Sequence, residues 1–159
     1  ERQSMKTIPS IKLPIIQDGK ISNEILSEIM ANKKVVIFGI PGAFTPTCSE
    51  KHLPSYLNLS NQLKDKKIED IYCISVNDAF VMKAWLDSYS KVNSIKGIAD
   101  GNAEFAKEMD LLDDYSGNFM GNRCRRFALV ADNNIVSSFN IEKKGQYFVS
   151  SAEHILELL

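Results

Sequence analysis

The sequence predicts an α/β fold in which helices flank a central mixed β-sheet. Short apolar runs of strand length alternate with stretches of helical spacing, and no repeat or Gly/Ser-rich linker divides the chain. The length of 159 residues, of which 44% are hydrophobic, is sufficient for one compact core. We therefore expect a single domain over residues 1–159, with residues 1–10 as a flexible N-terminal stretch.

The first half of the chain has the pattern β-α-β-α. Residues 35–40 form a continuous apolar run that ends at Pro41-Gly42, which is typical of a strand buried on both faces. Apolar residues with helical spacing follow over residues 53–63. Residues 68–76 predict a second apolar strand, and Asn77-Asp78 after it predicts the N-cap of a second helix.

The second half adds two helices and a pair of antiparallel strands. Asp100-Gly101-Asn102 predicts a turn into a short helix. Residues 125–131 and 135–141 predict a hairpin, because the Asp-Asn-Asn stretch between them tolerates left-handed backbone. Ser150-Ser151-Ala152-Glu153 predicts a capping box that opens a C-terminal helix. Since right-handed crossovers make the first strands parallel, the complete order is the thioredoxin-like plan.

The charge of the chain limits its partners. Nineteen basic and twenty acidic residues give a formal net charge of −1, so no overall field favours nucleic acid or an anionic membrane. No apolar run is long enough to span a membrane, and residues 1–10 lack the apolar stretch of a secretory signal. We therefore expect small molecules or proteins as partners.

The cysteine content indicates a reducing intracellular compartment. Cys48, Cys73 and Cys124 are an odd number at wide spacing, unlike the framework of a secreted disulfide protein. Because the chain begins with Glu1 rather than Met, two cellular locations stay open. One is the cytoplasm, and the other is a plastid or mitochondrion after removal of a targeting peptide.

Cys48 lies where a thiolate is favoured. Either Thr45 is the N-cap with Pro46 in the first helical position, or Thr47 opens a capping box with Glu50. Both alternatives put Cys48 in the first helical turn, where unpaired N–H groups and the helix dipole favour an anion. Thr45 occupies the place of the first cysteine in the C-x-x-C pair of thioredoxins, which favours peroxide reduction over disulfide exchange. The alternative interpretation is that Cys48 is a small buried hydrophobic residue and Thr45 an ordinary N-cap.

Four stretches of the sequence resemble type II peroxiredoxins, the plant-type and mammalian-type-five group. The most specific stretch matches the pattern P-x-x-x-T-x-x-C and reads Pro41-Gly42-Ala43-Phe44-Thr45-Pro46-Thr47-Cys48-Ser49-Glu50-Lys51-His52-Leu53-Pro54. The others cover residues 73–85, 121–129 and 149–153. The resemblance implies a thiol peroxidase that serves antioxidant defence and redox homeostasis.

The resemblance also implies a role for four residues. Cys48 matches the peroxidatic cysteine, Thr45 the hydroxyl that orients the peroxide, and Pro41 the residue that shields the site. Arg126 matches the arginine that stabilises the thiolate. Physically, a fixed guanidinium favours the thiolate, and its donors can hold the peroxide oxygens as the O–O bond breaks.

The implied reaction is attack of the Cys48 thiolate on hydrogen peroxide or a small alkyl hydroperoxide, which gives a sulfenic acid. Cys73, at a position where plant-type members have a second cysteine, is the candidate resolving residue, although residues 71–74 also predict a buried strand. The resolving cysteine of animal-type members is absent, since the matching stretch is Phe148-Val149-Ser150-Ser151. The implied reductant is glutathione with glutaredoxin, or thioredoxin, and the implied assembly is a homodimer.

Two further arginines and a histidine lie near the predicted site residues in the sequence. Arg125 is the alternative to Arg126, and Arg123 and Arg125 are otherwise expected to form a solvated basic patch. His52 is predicted to be a packing or supporting residue rather than part of a zinc site or a Cys-His nucleophile pair, because the chain has two histidines. We expect no metal and no cofactor. A non-catalytic thioredoxin-fold binding module is the rival hypothesis, and it needs no such combination of cysteine, threonine and arginine.

Overall fold

The structure, a computed structural model, describes residues 6–89 and 94–159. Within these ranges the strands are β1 (Lys12–Gln17), β2 (Lys20–Ile25), β3 (Lys34–Ile40), β4 (Asp70–Ser75), β5 (Lys96–Ala99), β6 (Leu112–Asp114), β7 (Asn122–Cys124), β8 (Phe127–Asp132) and β9 (Ile135–Ile141). Seven of them form one sheet in the order β2-β1-β5-β4-β3-β8-β9, while β6 and β7 pair separately.

The large sheet is mixed, as the sequence predicts. Strands β3, β4 and β5 run parallel, whereas β1 pairs antiparallel with β5, and β8 pairs antiparallel with β3 and β9. β3 lies between β4 and β8, and its residues from Val35 to Ile40 are all buried. The carboxyl end of β3 therefore lies in the middle of the sheet, where open α/β folds bind their ligands.

Helices cover both faces of the sheet: α1 (Leu26–Ile29), α2 (Leu53–Asp65), α3 (Ala79–Asp87), α4 (Glu104–Glu108) and α5 (Ala152–Leu158). Phe38 and Ile40 on one face of β3 belong to an apolar layer with residues of α2, α3 and α5. Val35 and Ile37 on the other face belong to a layer with residues of α1 and α4. The alternation of side chains along a strand explains this division.

The predicted elements are present, with one shift at a helix cap. The Asp78 side chain accepts a hydrogen bond from the Val81 amide and so caps α3 as predicted. At α5 the cap is Ser151, whose hydroxyl accepts from the His154 amide, and not Ser150. The Ser150 hydroxyl instead donates to Glu142, 2.7 Å away. The predicted capping box is therefore wrong by one residue.

The sequence reasoning missed the hairpin of β1 and β2. Its turn is Asp18-Gly19, in which both residues have positive φ (52° and 74°), and Asp-Gly between strands is a strong hairpin signal. β2 carries mainly exposed residues, so the apolar alternation that marks a strand is weak on that side. The turn dipeptide was the signal that could have found the hairpin.

The N-terminal stretch is only partly within the described residues. Residues 1–5, which the sequence predicts to be flexible, lie outside them. Thr7 pairs with Ile135, the amide of Ile8 donates to the Asn134 carbonyl at 2.8 Å, and Ile8 is buried. Among the described helices, none is long and apolar enough to cross a membrane.

Candidate active site

The turn after β3 places Cys48 at the start of a helix. The helix begins at Pro46, and the Ser49 amide donates to the Thr45 carbonyl at 2.9 Å. Thr47 already has helical dihedral angles and makes no side-chain cap. Of the two alternatives for the helix start, the structure therefore has the one with Thr45 before Pro46. The Thr45 hydroxyl donates to the Gly42 carbonyl at 2.7 Å, which fixes its oxygen within the turn.

Residues Cys48–His52 form one wide helical turn before α2. The Leu53 amide donates to the Cys48 carbonyl five residues back, which is the hydrogen bond of a π-helix. Both Cys48 and His52 are fully buried in this turn. Such widened turns occur frequently at functional sites.

Arg126 brings a cation to the thiol from the strand beside β3. It directly precedes β8, and its Nη2 donates to Cys48 Sγ at 3.2 Å. The side chain is buried, with 9% of its surface exposed. Because a guanidinium stays protonated, this contact places a permanent positive charge against the Cys48 sulfur, and burial weakens its screening by solvent.

His52 holds the guanidinium in place as a neutral acceptor. Arg126 Nη1 donates to Nδ1 of His52 at 2.9 Å, and Nε2 of His52 is 2.9 Å from the Ser150 carbonyl. An arginine can only donate and a carbonyl can only accept, so the proton must be on Nε2. Burial, and then the charge of Arg126, lower the pKa of His52 from 6.5 to about 3. The imidazole therefore holds Arg126 without neutralising its charge.

The loop that follows β9 also contributes residues to the site. Glu142 is buried, and its Oε2 accepts hydrogen bonds from the amides of Phe148, Val149 and Ser150 and from the Ser150 hydroxyl. Within this loop, the Tyr147 ring lies 6.0 Å from the Arg126 guanidinium carbon. The sequence reasoning missed Glu142 and Tyr147, because nothing in their local sequence shows what they contact.

The other two arginines of the cluster do not form the predicted solvated patch. Both are partly buried. Arg123 donates to the carbonyls of Pro41 at 3.3 Å and Met120 at 3.0 Å. Arg125 donates to the Glu142 carbonyl at 2.9 Å and makes no contact with the thiol. The prediction of a solvated patch is therefore wrong, because both side chains donate to backbone carbonyls. The contacts of Arg123 also link the turn at Pro41 to the loop at Met120.

Three further contacts that the sequence reasoning missed support the turn and the helix start. Asn77 Oδ1 accepts from the Ala43 amide at 3.0 Å and so joins the end of β4 to the turn. On the helix side, the indole N–H of Trp85 donates to the Ser49 hydroxyl at 3.0 Å, and the Tyr89 hydroxyl donates to the Ser49 carbonyl at 2.8 Å. The residues on both sides of Cys48 are therefore held by neighbouring elements.

The other two cysteines lie away from the surface. Cys73 is buried in β4 opposite Phe38, in the same apolar layer as Cys48, and burial raises its pKa well above the ordinary value. Cys124 is buried in the opposite layer, where burial also raises its pKa. All three cysteines are free. Across the ranges that the structure describes, no group of three or more His, Cys, Asp or Glu side chains is placed to hold a metal ion.

Comparison with known proteins agrees with this arrangement. Residues 3–156 match the family model described as Redoxin. The chain is 48% identical over 142 residues to Peroxiredoxin-2C of Oryza sativa subsp. japonica, with 89% of this chain and 88% of that protein covered. The chain belongs to the peroxiredoxins. Peroxiredoxin-2E-2, chloroplastic, of the same plant is 43% identical, with 89% of this chain and 64% of that protein covered.

The fold comparison leads to the same family. The crystal structure of reduced Prx3 in complex with H₂O₂ from Vibrio vulnificus superposes on this peroxiredoxin with a TM-score of 0.91, at 42% identity and 99% coverage of each chain. The predicted family, thioredoxin-like fold and enzyme class are thus confirmed. This peroxiredoxin is a thiol-dependent peroxidase of an antioxidant family.

Proposed function

We propose that this peroxiredoxin reduces hydrogen peroxide and small alkyl hydroperoxides through a thiolate and sulfenic acid cycle at Cys48. The observation that carries the proposal is the 3.2 Å contact from Arg126 Nη2 to Cys48 Sγ. It pairs the nucleophile with a cation whose other hydrogen-bond partner, His52, is neutral. The Vibrio structure that contains H₂O₂ supports hydrogen peroxide as a substrate of this fold.

In the proposed reaction, the Cys48 thiolate attacks one peroxide oxygen. An S–O bond forms as the O–O bond breaks, so sulfur loses two electrons and the peroxide gains them. The departing oxygen takes a proton and leaves as water or an alcohol. Arg126 stabilises the charge that moves to this oxygen, because its remaining donors lie beside the thiol. Thr45 accepts a hydrogen bond from the peroxide, since its own proton is given to Gly42.

Pro41 is proposed to shield the thiolate. It forms part of a cavity wall beside Thr45 and Arg126, and its carbonyl accepts from Arg123. An apolar ring at this position limits the access of water to the reacting atoms. Water exclusion strengthens the attraction between Arg126 and the transition-state charge.

The first test compares Cys48→Ser with Cys124→Ser in a peroxide-consumption assay. We expect Cys48→Ser to reduce the rate to that of the buffer with reductant alone, because a hydroxyl is a far weaker nucleophile at neutral pH. Cys124→Ser is the matched control, since Cys124 lies in the opposite apolar layer. Peroxide consumption by Cys48→Ser at the wild-type rate would refute the proposed cycle.

We propose that an external thiol, either glutathione with glutaredoxin or thioredoxin, returns Cys48 to the thiolate. Cys73 was the candidate resolving residue. Its burial within β4 and its raised pKa both disfavour attack on a sulfenic acid. We expect mass spectrometry after one equivalent of peroxide, with glutathione added, to show a mixed disulfide at Cys48 in both wild type and Cys73→Ser. An intramolecular Cys48–Cys73 disulfide in the wild type would instead assign resolution to Cys73.

We also propose a homodimer that forms near the active site. Phe44 and Phe80 are 58% and 78% exposed, far more than is usual for phenylalanine. They lie on neighbouring segments, since Asn77 just before α3 accepts from the Ala43 amide. Sedimentation velocity should show a dimer for the wild type and a monomer for Phe80→Ser. Ile21→Ser, on the exposed strand β2, is the control that should leave the dimer intact.

For its location we propose a reducing compartment, the cytoplasm, a plastid or a mitochondrion. Three free cysteines support this, because an oxidising compartment would expose Cys48 to disulfide formation. The chloroplastic name of one rice relative is compatible with the plastid option. Fractionation of source cells with an antibody against the protein would distinguish the compartments.

A further inference from the structure

A cavity of about 290 Å³ opens beside Thr45 and Arg126, while the Cys48 thiol lies buried behind the Arg126 guanidinium that contacts it. Its walls come from the turn after β3, from the loop that carries Tyr115 and Met120, and from residues 142–146. Arg126, the donor to Cys48, also faces the cavity. A water molecule takes up roughly 30 Å³, so the two oxygen atoms of hydrogen peroxide use a small part of this volume. The cavity has room for an organic group attached to the reacting atom.

The side chains around the cavity make it positive. Arg126, Lys143 and Lys144 line it, together with one acidic residue, Glu142. These four residues carry a net charge of +2, against −1 for the whole chain. One carboxylate oxygen of Glu142 already accepts four hydrogen bonds from residues 148–150. The cavity therefore favours an anionic ligand.

The two lysines differ in their availability to a ligand. Lys144 Nζ donates to the Asp114 carbonyl and lies 4.6 Å from the centre of the Tyr115 ring. Lys143 is exposed and makes no ion pair with any residue in the two described ranges. Lys143 is thus the cation that an anion in the cavity can approach without displacing an internal contact.

We propose that this cavity binds the carboxylate of an organic molecule at Lys143 while the reacting atom of that molecule meets Cys48. The apolar surfaces of Pro41, Pro46 and Met120 in the cavity walls contact the carbon skeleton. This inference rests on the proposed thiol peroxidase function. Two small molecules with this chemistry react with the cysteine: a hydroperoxide that carries a carboxylate, and glutathione, which carries two.

The first arm of the test measures the reduction of a hydroperoxide. The second-order rate constant is determined for a hydroperoxide carboxylic acid and for its methyl ester. We expect wild type to react faster with the acid by roughly two- to fivefold, the range for one partly exposed ion pair. The acid-to-ester ratio should fall towards one in Lys143→Met and should persist in Lys143→Arg. It should also decrease as salt is added.

The second arm measures the resetting of the cysteine. Protein oxidised with one equivalent of hydrogen peroxide is mixed with glutathione or with its diethyl ester, and the mixed disulfide is followed by mass spectrometry. In this step the glutathione sulfur attacks the sulfenic sulfur, an S–S bond forms, the S–O bond breaks, and hydroxide leaves as water with the thiol proton. A preference for the acid form in one arm identifies which molecule uses the cavity.

Lys107→Met, on α4 at the opposite face of the sheet, is the matched control in both arms and should keep the wild-type ratios. Acid-to-ester ratios near one for wild type in both arms would overturn the carboxylate site. A preference that survives in Lys143→Met would overturn it equally. Turnover of hydrogen peroxide by wild type separates these results from failure of the proposed function, because a wild type that consumes no peroxide refutes the thiol peroxidase assignment itself.

Discussion

At the scale of single residues, the site depends on a cation whose second partner is neutral. A carboxylate in the position of His52 would form an ion pair with Arg126 and compete with the thiolate for its charge. The imidazole accepts one hydrogen bond and leaves that charge available to Cys48. The sequence suggested a supporting role for His52, but its partner Arg126 is 74 positions away and its second contact is a backbone carbonyl at Ser150. Neither is visible in a local motif.

The first prediction concerns this acceptor. In His52→Leu the guanidinium of Arg126 loses a buried partner, so we expect the thiolate to form at higher pH and peroxide reduction to slow. Loss of a buried hydrogen bond of this type costs about 1–3 kcal/mol, which corresponds to a decrease of about 5-fold to 160-fold if it acts fully on the transition state. Thiolate absorbance against pH and stopped-flow rates are the measurements.

His52→Gln is the matched variant, because its amide oxygen can still accept from Arg126. It should recover most of the activity that His52→Leu loses. Equal thiolate titration curves for wild type and His52→Leu would show that His52 does not support the charge at Cys48. Thermal unfolding of each variant separates loss of the fold from loss of the contact.

At the scale of elements, the packing of β3 against β8 determines where Arg126 can lie. Gly39 in β3 pairs with Phe127 in β8, and a Cβ atom at Gly39 would lie 2.0 Å from the Phe127 ring. The ring therefore occupies the space that a side chain would need. Because Phe127 directly follows Arg126, this close approach also fixes the start of the strand from which the guanidinium reaches Cys48.

The second prediction follows from this contact. Gly39→Ala forces the Phe127 ring to move, and overpacking of this kind costs about 1–3 kcal/mol of unfolding free energy. Peroxide reduction should slow as well, since Arg126 moves with the strand. Gly117→Ala is the control, because its Cβ would meet nothing within 4 Å. Urea unfolding in which Gly39→Ala is as stable as Gly117→Ala would contradict the prediction.

At the scale of the whole molecule, the sequence predicted the elements with long apolar runs or clear caps. It missed shorter ones that are also buried in part, such as β1 with Leu13 and Ile15, and the four-residue β5. β3, β4, α2, α3 and the hairpin of β8 and β9 follow from apolar periodicity and capping residues. The short pair of β6 and β7 carries three residues in each strand, too few for a period to emerge. At the site, the active-site motif predicted Cys48 and Thr45, and the resemblance of residues 121–129 predicted Arg126. The supporting Glu142 depends on contacts between distant segments.

The third prediction concerns the pH dependence of global stability. The pKa of His52 is about 3 when folded and 6.5 when exposed, so between these values the unfolded chain binds one more proton than the native protein. The contribution of a neutral His52 to the free energy of unfolding is therefore fully present above pH 6.5 and is lost as the pH falls from 6.5 towards 3. Between pH 7 and pH 5, protonation of His52 in the unfolded chain lowers the free energy of unfolding by about 2 kcal/mol, at about 1.36 kcal/mol for each pH unit below 6.5.

Urea unfolding of wild type and His52→Gln at the two pH values tests this. Glutamine does not titrate, so the variant should lose about 2 kcal/mol less than wild type between pH 7 and pH 5. Parallel curves for the two proteins would mean that His52 takes up no extra proton on unfolding.

The contact between Trp85 and Ser49 gives the enzyme an intrinsic optical reporter. Trp85 is the one tryptophan of the chain, and its indole N–H donates to the hydroxyl of the residue that follows Cys48. Oxidation of the neighbouring sulfur changes the polarity around that hydrogen bond, so we expect emission to change in step with sulfenic acid formation. Each turnover can then be followed by fluorescence without a dye or a coupled enzyme, and the oxidation and resetting steps can be timed separately in one trace.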